Sequence, residues 1–233
     1  MRTQLLILFY LLFFHNVYGQ QKVQLFSEEI KNHIGKFKHF SDIAYEKGDI
    51  EKGQLLFDSL VQNYLVGTKI DNYVLKCANG KKVKLQKIKK PIFLLTYSSW
   101  CVLNKAEIQS LNELSKKYTA DFQLIVLFWD TKKNMKKLAT KFNNNINVCY
   151  ANEEYEADEE VVSNLKHYLG FPTSYFMNKN LEIIDILRGN PQVPIKTSFA
   201  KTLDYNLAFF EERITNFLIQ KDVIMQPYVK NEY

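Results

Sequence analysis

The chain has few of the features that would make it a membrane protein or a nucleic-acid-binding protein. Its longest apolar run, residues 5–14, has ten residues, whereas about 20 are needed to span a bilayer as a helix. Lys and Arg exceed Asp and Glu by only six, and the basic stretch is not interleaved with aromatic residues. We therefore expect no integral membrane segment in the mature chain and no nucleic acid among its partners.

The sequence also lacks the motifs of several enzyme and cofactor classes. It contains no glycine-rich phosphate loop and no catalytic-triad motif, and His33, His39 and His167 do not have the spacing of metal ligands. Repeats and low-complexity tracts are absent. Hydrophobic residues make up 46% of the chain, which is enough for a buried core. We expect a globular protein without a metal ion or other cofactor.

Cysteine is scarce, and its number is odd. The three cysteines are Cys77, Cys101 and Cys149. In an oxidising compartment an odd number leaves at least one thiol unpaired, unless that thiol bonds another chain or a small thiol. Cys77 shares one face of a predicted strand with Tyr73 and Leu75, so we interpret it as a small buried hydrophobic residue.

Residues 1–19 have the pattern of a secretory signal peptide. Arg2 supplies a positive charge, residues 5–14 form the apolar run, and residues 17–19 precede a cleavage point before Gln20. An uncleaved anchor is the alternative, and no cysteine follows the run closely enough to indicate a lipid anchor. We therefore predict export, to the periplasm or outside the cell.

Three segments are expected after the signal peptide. Residues 20–68 are helical in pattern, with Ser27 as the predicted N-cap and a break at Gly48. Residues 69–191 alternate between strand and helix periods and include a hairpin signal at Asn79-Gly80. Residues 192–233 return to helical spacing. We interpret the N-terminal helices as a structural cap on the next domain, and a partner-binding surface is the alternative.

The order of elements in residues 69–191 predicts an α/β sandwich with three layers and a mixed central sheet. The helix expected to begin near Cys101 would start at the carboxyl end of a central strand. Amide groups and the dipole at a helix start stabilise a thiolate, which is the nucleophile in disulfide exchange. Further along, Pro172 lies between a predicted helix and a predicted strand, where a cis peptide bond is the usual explanation.

These motifs together resemble the thioredoxin superfamily, and within it the exported TlpA/ResA-like thiol–disulfide oxidoreductases related to AhpC/TSA proteins. The matching segments are the hairpin at Asn79-Gly80, Ser99-Trp100-Cys101 after an apolar strand, Lys105-x-Glu107, and Gly170-Phe171-Pro172-Thr173. The resemblance implies a thioredoxin-like domain over residues 69–191, with an N-terminal helical extension and β-hairpin and a C-terminal helix. It also implies protein or small-molecule thiols and disulfides as partners in redox homeostasis.

The resemblance further implies a role for each site residue. Cys101 would be the attacking cysteine, and Trp100 would shape the surface beside its thiol. A cis-Pro172, with its neighbours Phe171 and Thr173, would hold a substrate chain in extended form.

The sequence departs from this family at one decisive position. Asn104 stands where a Cys-x-x-Cys motif has its second cysteine, so no neighbouring thiol can release a mixed disulfide. Cys149, in a predicted short strand, is a candidate resolving partner for Cys101. Three functions stay open: a monothiol oxidoreductase, a thioredoxin-fold binding or scaffold protein without catalysis, and a peroxiredoxin-like peroxidase.

Overall fold

The structure of the protein, a computed structural model, describes residues 23–98, 105–166, 169–170, 172–189, 191, 193–194 and 196–220. Within these ranges the helices are α1 (Phe26–Glu46), α2 (Ile50–Leu60), α3 (Lys105–Lys117), α4 (Lys132–Ala139), α5 (Glu159–Leu165) and α6 (Phe199–Gln220). The strands are β1 (Val74–Cys77), β2 (Lys82–Lys84), β3 (Ile92–Ser98), β4 (Gln123–Trp129), β5 (Ile146–Ala151), β6 (Thr173–Met177) and β7 (Ile183–Arg188).

The seven strands form one mixed sheet in the order β2-β1-β5-β4-β3-β6-β7. β3 pairs in parallel with β4, and β4 with β5. β6 runs antiparallel to β3 and forms a hairpin with β7, while the β1–β2 hairpin joins the far side of the sheet through β5. The arrangement β4-β3-β6-β7, with helices on both faces, is the thioredoxin-like α/β sandwich predicted from the sequence.

Two buried clusters hold the three layers together, one on each face of the sheet. All seven residues of β3 are buried, and because side chains alternate along a strand, Leu94 enters one cluster and Phe93 the other. The first cluster takes side chains from α1, α2 and α5, and the second from α3, α4 and α6. The N-terminal and C-terminal helices therefore cover opposite faces of the same sheet.

The N-terminal helices show one confirmed prediction and one wrong one. The break expected at Gly48 is present, since this residue has φ +71° between α1 and α2. The N-cap of α1, however, is Leu25, which makes no side-chain capping bond. Ser27 lies inside the helix, where its backbone N donates to Asp71 Oδ2 at 3.1 Å and its Oγ donates to Asp71 Oδ1 at 2.7 Å. The local pattern could not show that a carboxylate 44 positions away would satisfy this helix end.

The hairpin predicted at Asn79-Gly80 is confirmed. Gly80 has φ +86°, a conformation that a residue without a Cβ adopts readily. Asn79 Oδ1 accepts from Lys81 N at 3.0 Å, which fixes the turn between β1 and β2. α4 ends at Ala139, and Phe142 packs into the core from the turn that follows this helix.

None of the described helices combines the length and the hydropathy needed to cross a bilayer.

Candidate functional site

The described residues on either side of the Cys101 segment lie at the carboxyl edge of the parallel strands. β3 ends at Ser98 and α3 begins at Lys105, so the six residues that include Cys101 connect a central strand to a helix. Trp100, Cys101, Asn104 and Phe171 themselves lie outside the described residues. Their surroundings are described, and they show which groups meet at this edge.

Pro172 and Thr173 lie beside the carboxyl-terminal half of β3. Thr173 is the antiparallel partner of Thr96, and Thr96 Oγ1 donates to the carbonyl of Thr173 at 3.2 Å. The same register, continued by one residue, brings Pro172 level with Tyr97. The cis peptide bond expected before Pro172 stays a prediction, because Phe171 is outside the described residues.

Two further bonds fix the loop that carries Pro172. The Thr173 hydroxyl donates to the carbonyl of Gly170 at 2.7 Å, and Gly189 N donates to the carbonyl of Pro172 at 2.9 Å. Thr173 is 1% exposed and Pro172 is buried. The fold therefore places Pro172 and Thr173 against β3, the strand that leads to the segment containing Cys101.

A buried polar pair joins the strand and the helix on either side of Cys101. The Tyr97 hydroxyl donates to Glu107 Oε1, and these residues are 0% and 2% exposed. Tyr97 is next to the last residue of β3, and Glu107 lies in the first turn of α3. The pair ties the helix start to the strand end. The sequence showed Glu107 as part of a motif, but nothing local indicated that Tyr97 would reach it.

The neighbouring strand contributes polar groups that the sequence analysis missed. Asp130, 6% exposed, directly follows β4, and its Oδ1 accepts from Thr131 N at 2.6 Å and from Asn134 Nδ2 at 2.8 Å. Trp129, the partner of Ser98, buries an indole Nε1 that has no hydrogen-bond partner among the described residues. The sequence signal for this polar group was Asp130, directly after a buried strand, with Asn134 four positions later.

Cys149 lies away from the end of β3, in the middle of the sheet. It is 0% exposed on β5, and its sulfur is 2.9 Å from the sulfur of Cys77 on β1. Cys77 is 3% exposed, so its prediction as a small buried residue is confirmed. Nothing local in the sequence indicates that these two cysteines meet, because they are 72 positions apart in the chain.

A separate cavity of about 300 Å³ lies between β7 and α6, and its lining includes Asp185, Arg213, Asn216 and Phe209. Burial raises the pKa of the Asp185 carboxyl, while the bond from Ile186 N and the charge of Arg213 act in the opposite direction. Burial also lowers the pKa of Arg213, whose guanidinium lies 3.7 Å from the Phe209 ring centroid. None of the predicted site residues that the structure describes lines this cavity.

The AhpC/TSA family model matches residues 66–188, which is more than half of the chain. The match includes β1 to β7 and the segments around Cys101 and Pro172. The chain belongs to the AhpC/TSA family, as the resemblance to related thioredoxin-fold proteins predicted.

Several solved structures are similar to this chain. A protein from Chlorobium tepidum, provisionally assigned as a thiol:disulfide interchange protein DsbE, is 21% identical with a TM-score of 0.48 over 66% of this chain and 97% of its own. A provisionally assigned electron transfer protein from Aquifex aeolicus VF5 is 19% identical with a TM-score of 0.48 over 67% and 97%.

The pneumococcal exposed lipoprotein thioredoxin (Etrx1) from Streptococcus pneumoniae strain TIGR4 is 18% identical with a TM-score of 0.43 over 57% and 98%. Similarities of this size carry no functional conclusion. No curated protein sequence matches the chain significantly.

Proposed function

We propose that this chain is an exported monothiol thiol–disulfide oxidoreductase with Cys101 as its nucleophile. The observation that carries the proposal is the pairing of Thr96 with Thr173, which brings the Pro172 loop to the strand that leads to Cys101. Membership of the AhpC/TSA family supports a thiol-based function. The Tyr97–Glu107 bond adds support, because it anchors the start of α3 close in sequence to the thiol.

The proposed reaction is a thiol–disulfide exchange in two steps. The Cys101 thiolate attacks one sulfur of a substrate disulfide and forms a mixed disulfide, and the other substrate sulfur leaves as a thiolate that takes a proton. A thiolate from an outside protein or small molecule then attacks the mixed disulfide and releases Cys101. Asn104 offers no sulfur for this second step, so the outside thiol is required.

The residues around Cys101 have distinct proposed roles. Trp100 shapes the surface beside the thiol, and the backbone around Pro172, with Phe171 and Thr173, holds a substrate chain in extended form. The helix start lowers the pKa of Cys101 below the free value of about 8.5, because its amide groups and dipole favour the thiolate.

The pH dependence of Cys101 alkylation tests the proposal. Rates measured from about pH 5 to 10 and resolved by peptide should show a Cys101 pKa below about 8.5. In the reduced native protein, Cys77 and Cys149, at 3% and 0% exposed, serve as internal slow-reacting thiols. A Cys101 that titrates like an ordinary thiol would contradict the proposal and favour the non-catalytic binding protein.

Substitution of Asn104 gives the second test. Asn104→Cys should create dithiol reductase activity in an insulin reduction assay and shorten the lifetime of the mixed disulfide, since a second thiol could then release it. Asn104→Ser is the matched control, because it introduces a small polar residue without a sulfur that can resolve the bond. Peroxide consumption by the unmodified protein would instead favour the peroxiredoxin-like peroxidase.

The proposed export depends on residues 1–19 and has its own measurement. N-terminal sequencing of the native protein should give a first residue near Gln20, in a fraction outside the cytoplasm. Recovery of a chain that begins at Met1 would contradict cleavage.

A further inference from the structure

Cys77 and Cys149 face each other directly across two antiparallel strands. They are Cα partners in the β1–β5 pairing. Ala78 N donates to the carbonyl of Val148 at 2.9 Å, while Cys77 N turns the other way and donates to the carbonyl of Lys81 at 2.8 Å. The two cysteines therefore occupy a position between ladder hydrogen bonds, where opposing Cα atoms lie about 4.5 Å apart and side chains are closest.

This geometry meets the requirements of a disulfide bond. Disulfides span Cα–Cα separations of about 4.4–6.8 Å, so a strand pair of this kind can be bridged without moving either backbone. The two sulfur atoms already lie 2.9 Å apart, and both belong to the buried cluster on the α1, α2 and α5 face. Burial shields the pair from reagents once the strands have paired.

The electrostatics of the pair favour ionisation of one partner before the other. The hydrogen bond from Cys149 lowers the pKa of Cys77, with a further contribution from Lys81 and against the effect of burial. The same bond, together with burial, raises the pKa of Cys149. In the folded sheet the Cys77 thiol therefore loses its proton more readily than the Cys149 thiol does.

We propose that Cys77 and Cys149 form a cross-strand disulfide when the chain folds in the presence of a disulfide oxidant. The thiolate of one cysteine, here written as Cys77, attacks the oxidant RSSR, forms a mixed disulfide and releases one RS⁻. The Cys149 thiolate then attacks the Cys77 sulfur and releases the second RS⁻, and the protons from the two cysteines end on two RSH molecules. Because both sulfurs are buried in the finished sheet, the exchange occurs before β1 docks against β5.

The bond has a consequence for the rest of the chain. It withdraws Cys149 from any role as a resolving partner of Cys101 and leaves Cys101 as the single free thiol among the three cysteines. It also joins two strands 72 positions apart in sequence. The inference does not depend on the reactivity of Cys101, so it goes beyond the proposed oxidoreductase function.

The experiment refolds the reduced full chain with oxidised glutathione, then unfolds it under alkylating conditions and maps its peptides. We expect the peptides of Cys77 and Cys149 to be linked, with the mass of the pair lower by two hydrogen atoms, and Cys101 to be alkylated or bound to glutathione. The Cys101→Ser variant should keep the link, and Cys149→Ala should lose it. Alkylation of both Cys77 and Cys149, or a Cys101–Cys149 link, would overturn the proposal.

Thermal unfolding gives a second measurement. Reductant should lower the Tm of the oxidised protein by on the order of 10 °C, given the length of the closed loop. The doubly substituted Cys77→Ala, Cys149→Ala protein should show no reductant-dependent shift. An unchanged Tm in the unsubstituted protein would contradict the proposal. A linked pair together with an inert Cys101 would refute only the proposed oxidoreductase function.

Discussion

Glu107 buries a carboxylate at the start of α3, and the Tyr97 hydroxyl donates to it from the end of β3. A buried hydrogen bond stabilises a fold mainly because its loss leaves a desolvated partner. The pair therefore contributes to stability and also holds the helix at a fixed height above the strand. Both the stabilisation and the fixed position of the helix depend on one bond, so removal of the Tyr97 hydroxyl should remove both.

Tyr97→Phe should lower the free energy of unfolding by about 1–3 kcal/mol, because Glu107 loses a donor that water cannot replace in the core. Urea denaturation measures this change. Tyr205→Phe is the matched control, since Tyr205 is 51% exposed and should change stability by less than about 0.5 kcal/mol. Equal effects of the two substitutions would show that the buried bond adds nothing.

Asp185 gives a residue-scale prediction that depends on pH. Burial raises the pKa of this carboxyl in the folded state, whereas the unfolded value is about 3.9. Between these two pKa values the folded state holds a proton that the unfolded state has lost, so stability falls as pH rises through this window.

Asp185→Asn should remove this loss, because the amide does not ionise and its oxygen can still accept from Ile186 N. The free energy of unfolding of the variant, relative to the unsubstituted protein, should therefore increase as the pH is raised from about 4. Denaturation at a series of pH values measures the difference. A difference that is constant with pH would contradict the prediction.

Among the elements, α2 has a start that is specified entirely by residues next to it in the sequence. Gly48 turns the chain, and Asp49 follows as the N-cap, with its Oδ1 accepting from Lys52 N at 3.0 Å. An N-cap side chain satisfies one of the backbone donors that a helix leaves unpaired at its start.

Asp49→Ala should therefore lower the free energy of unfolding by about 1 kcal/mol. Asp49→Asn is the control, since its amide oxygen can accept the same bond and should preserve most of the stability. Thermal or urea denaturation compares the two variants. An Asn variant as unstable as the Ala variant would show that the cap bond is not the cause.

Elements set by local signals were predictable from the sequence, and those set by distant partners were not. Asn79-Gly80 specifies its turn within two residues. The apolar runs of β3 and β4, separated by residues with helical spacing, identify both as buried strands. The start of α1 depends on Asp71, and the contact between Cys77 and Cys149 depends on strand pairing across the sheet. At the site, Cys101 and Pro172 were identified as candidates from their motifs, whereas the pairing of Thr173 with Thr96 and the Tyr97–Glu107 bond join different elements and had no local signal.

At the scale of the whole molecule, the N-terminal helices are part of the same packed body as the sheet. Phe57 on α2 is 1% exposed and belongs to the cluster that also contains Leu94 of β3 and Tyr175 of β6. Arg188 at the end of β7 donates to the Tyr45 hydroxyl and lies 4.5 Å from the Phe57 ring centroid. The helices and the sheet should unfold together.

Phe57→Ala should lower the free energy of unfolding by about 3–5 kcal/mol, through the lost burial and the cavity left behind. Leu55→Ala in the same helix is the control, because Leu55 is 62% exposed and its truncation should cost less than about 0.5 kcal/mol. Calorimetry should show one transition in each case. A separate early transition in Phe57→Ala would mean that the helices unfold independently of the sheet.

The position of β6 in the sheet also determines when the chain can fold. β6 lies beside β3, although Thr173 follows Thr96 by 77 positions. Sheets that depend on such distant pairings form slowly, because a long loop must close before its contacts stabilise it. During synthesis the ribosome therefore releases β3 and β4 well before the strand that completes their surroundings. A nascent chain that lacks its last third is missing β6, β7 and α6, so neither the sheet nor the second buried cluster can be completed until these elements have been made.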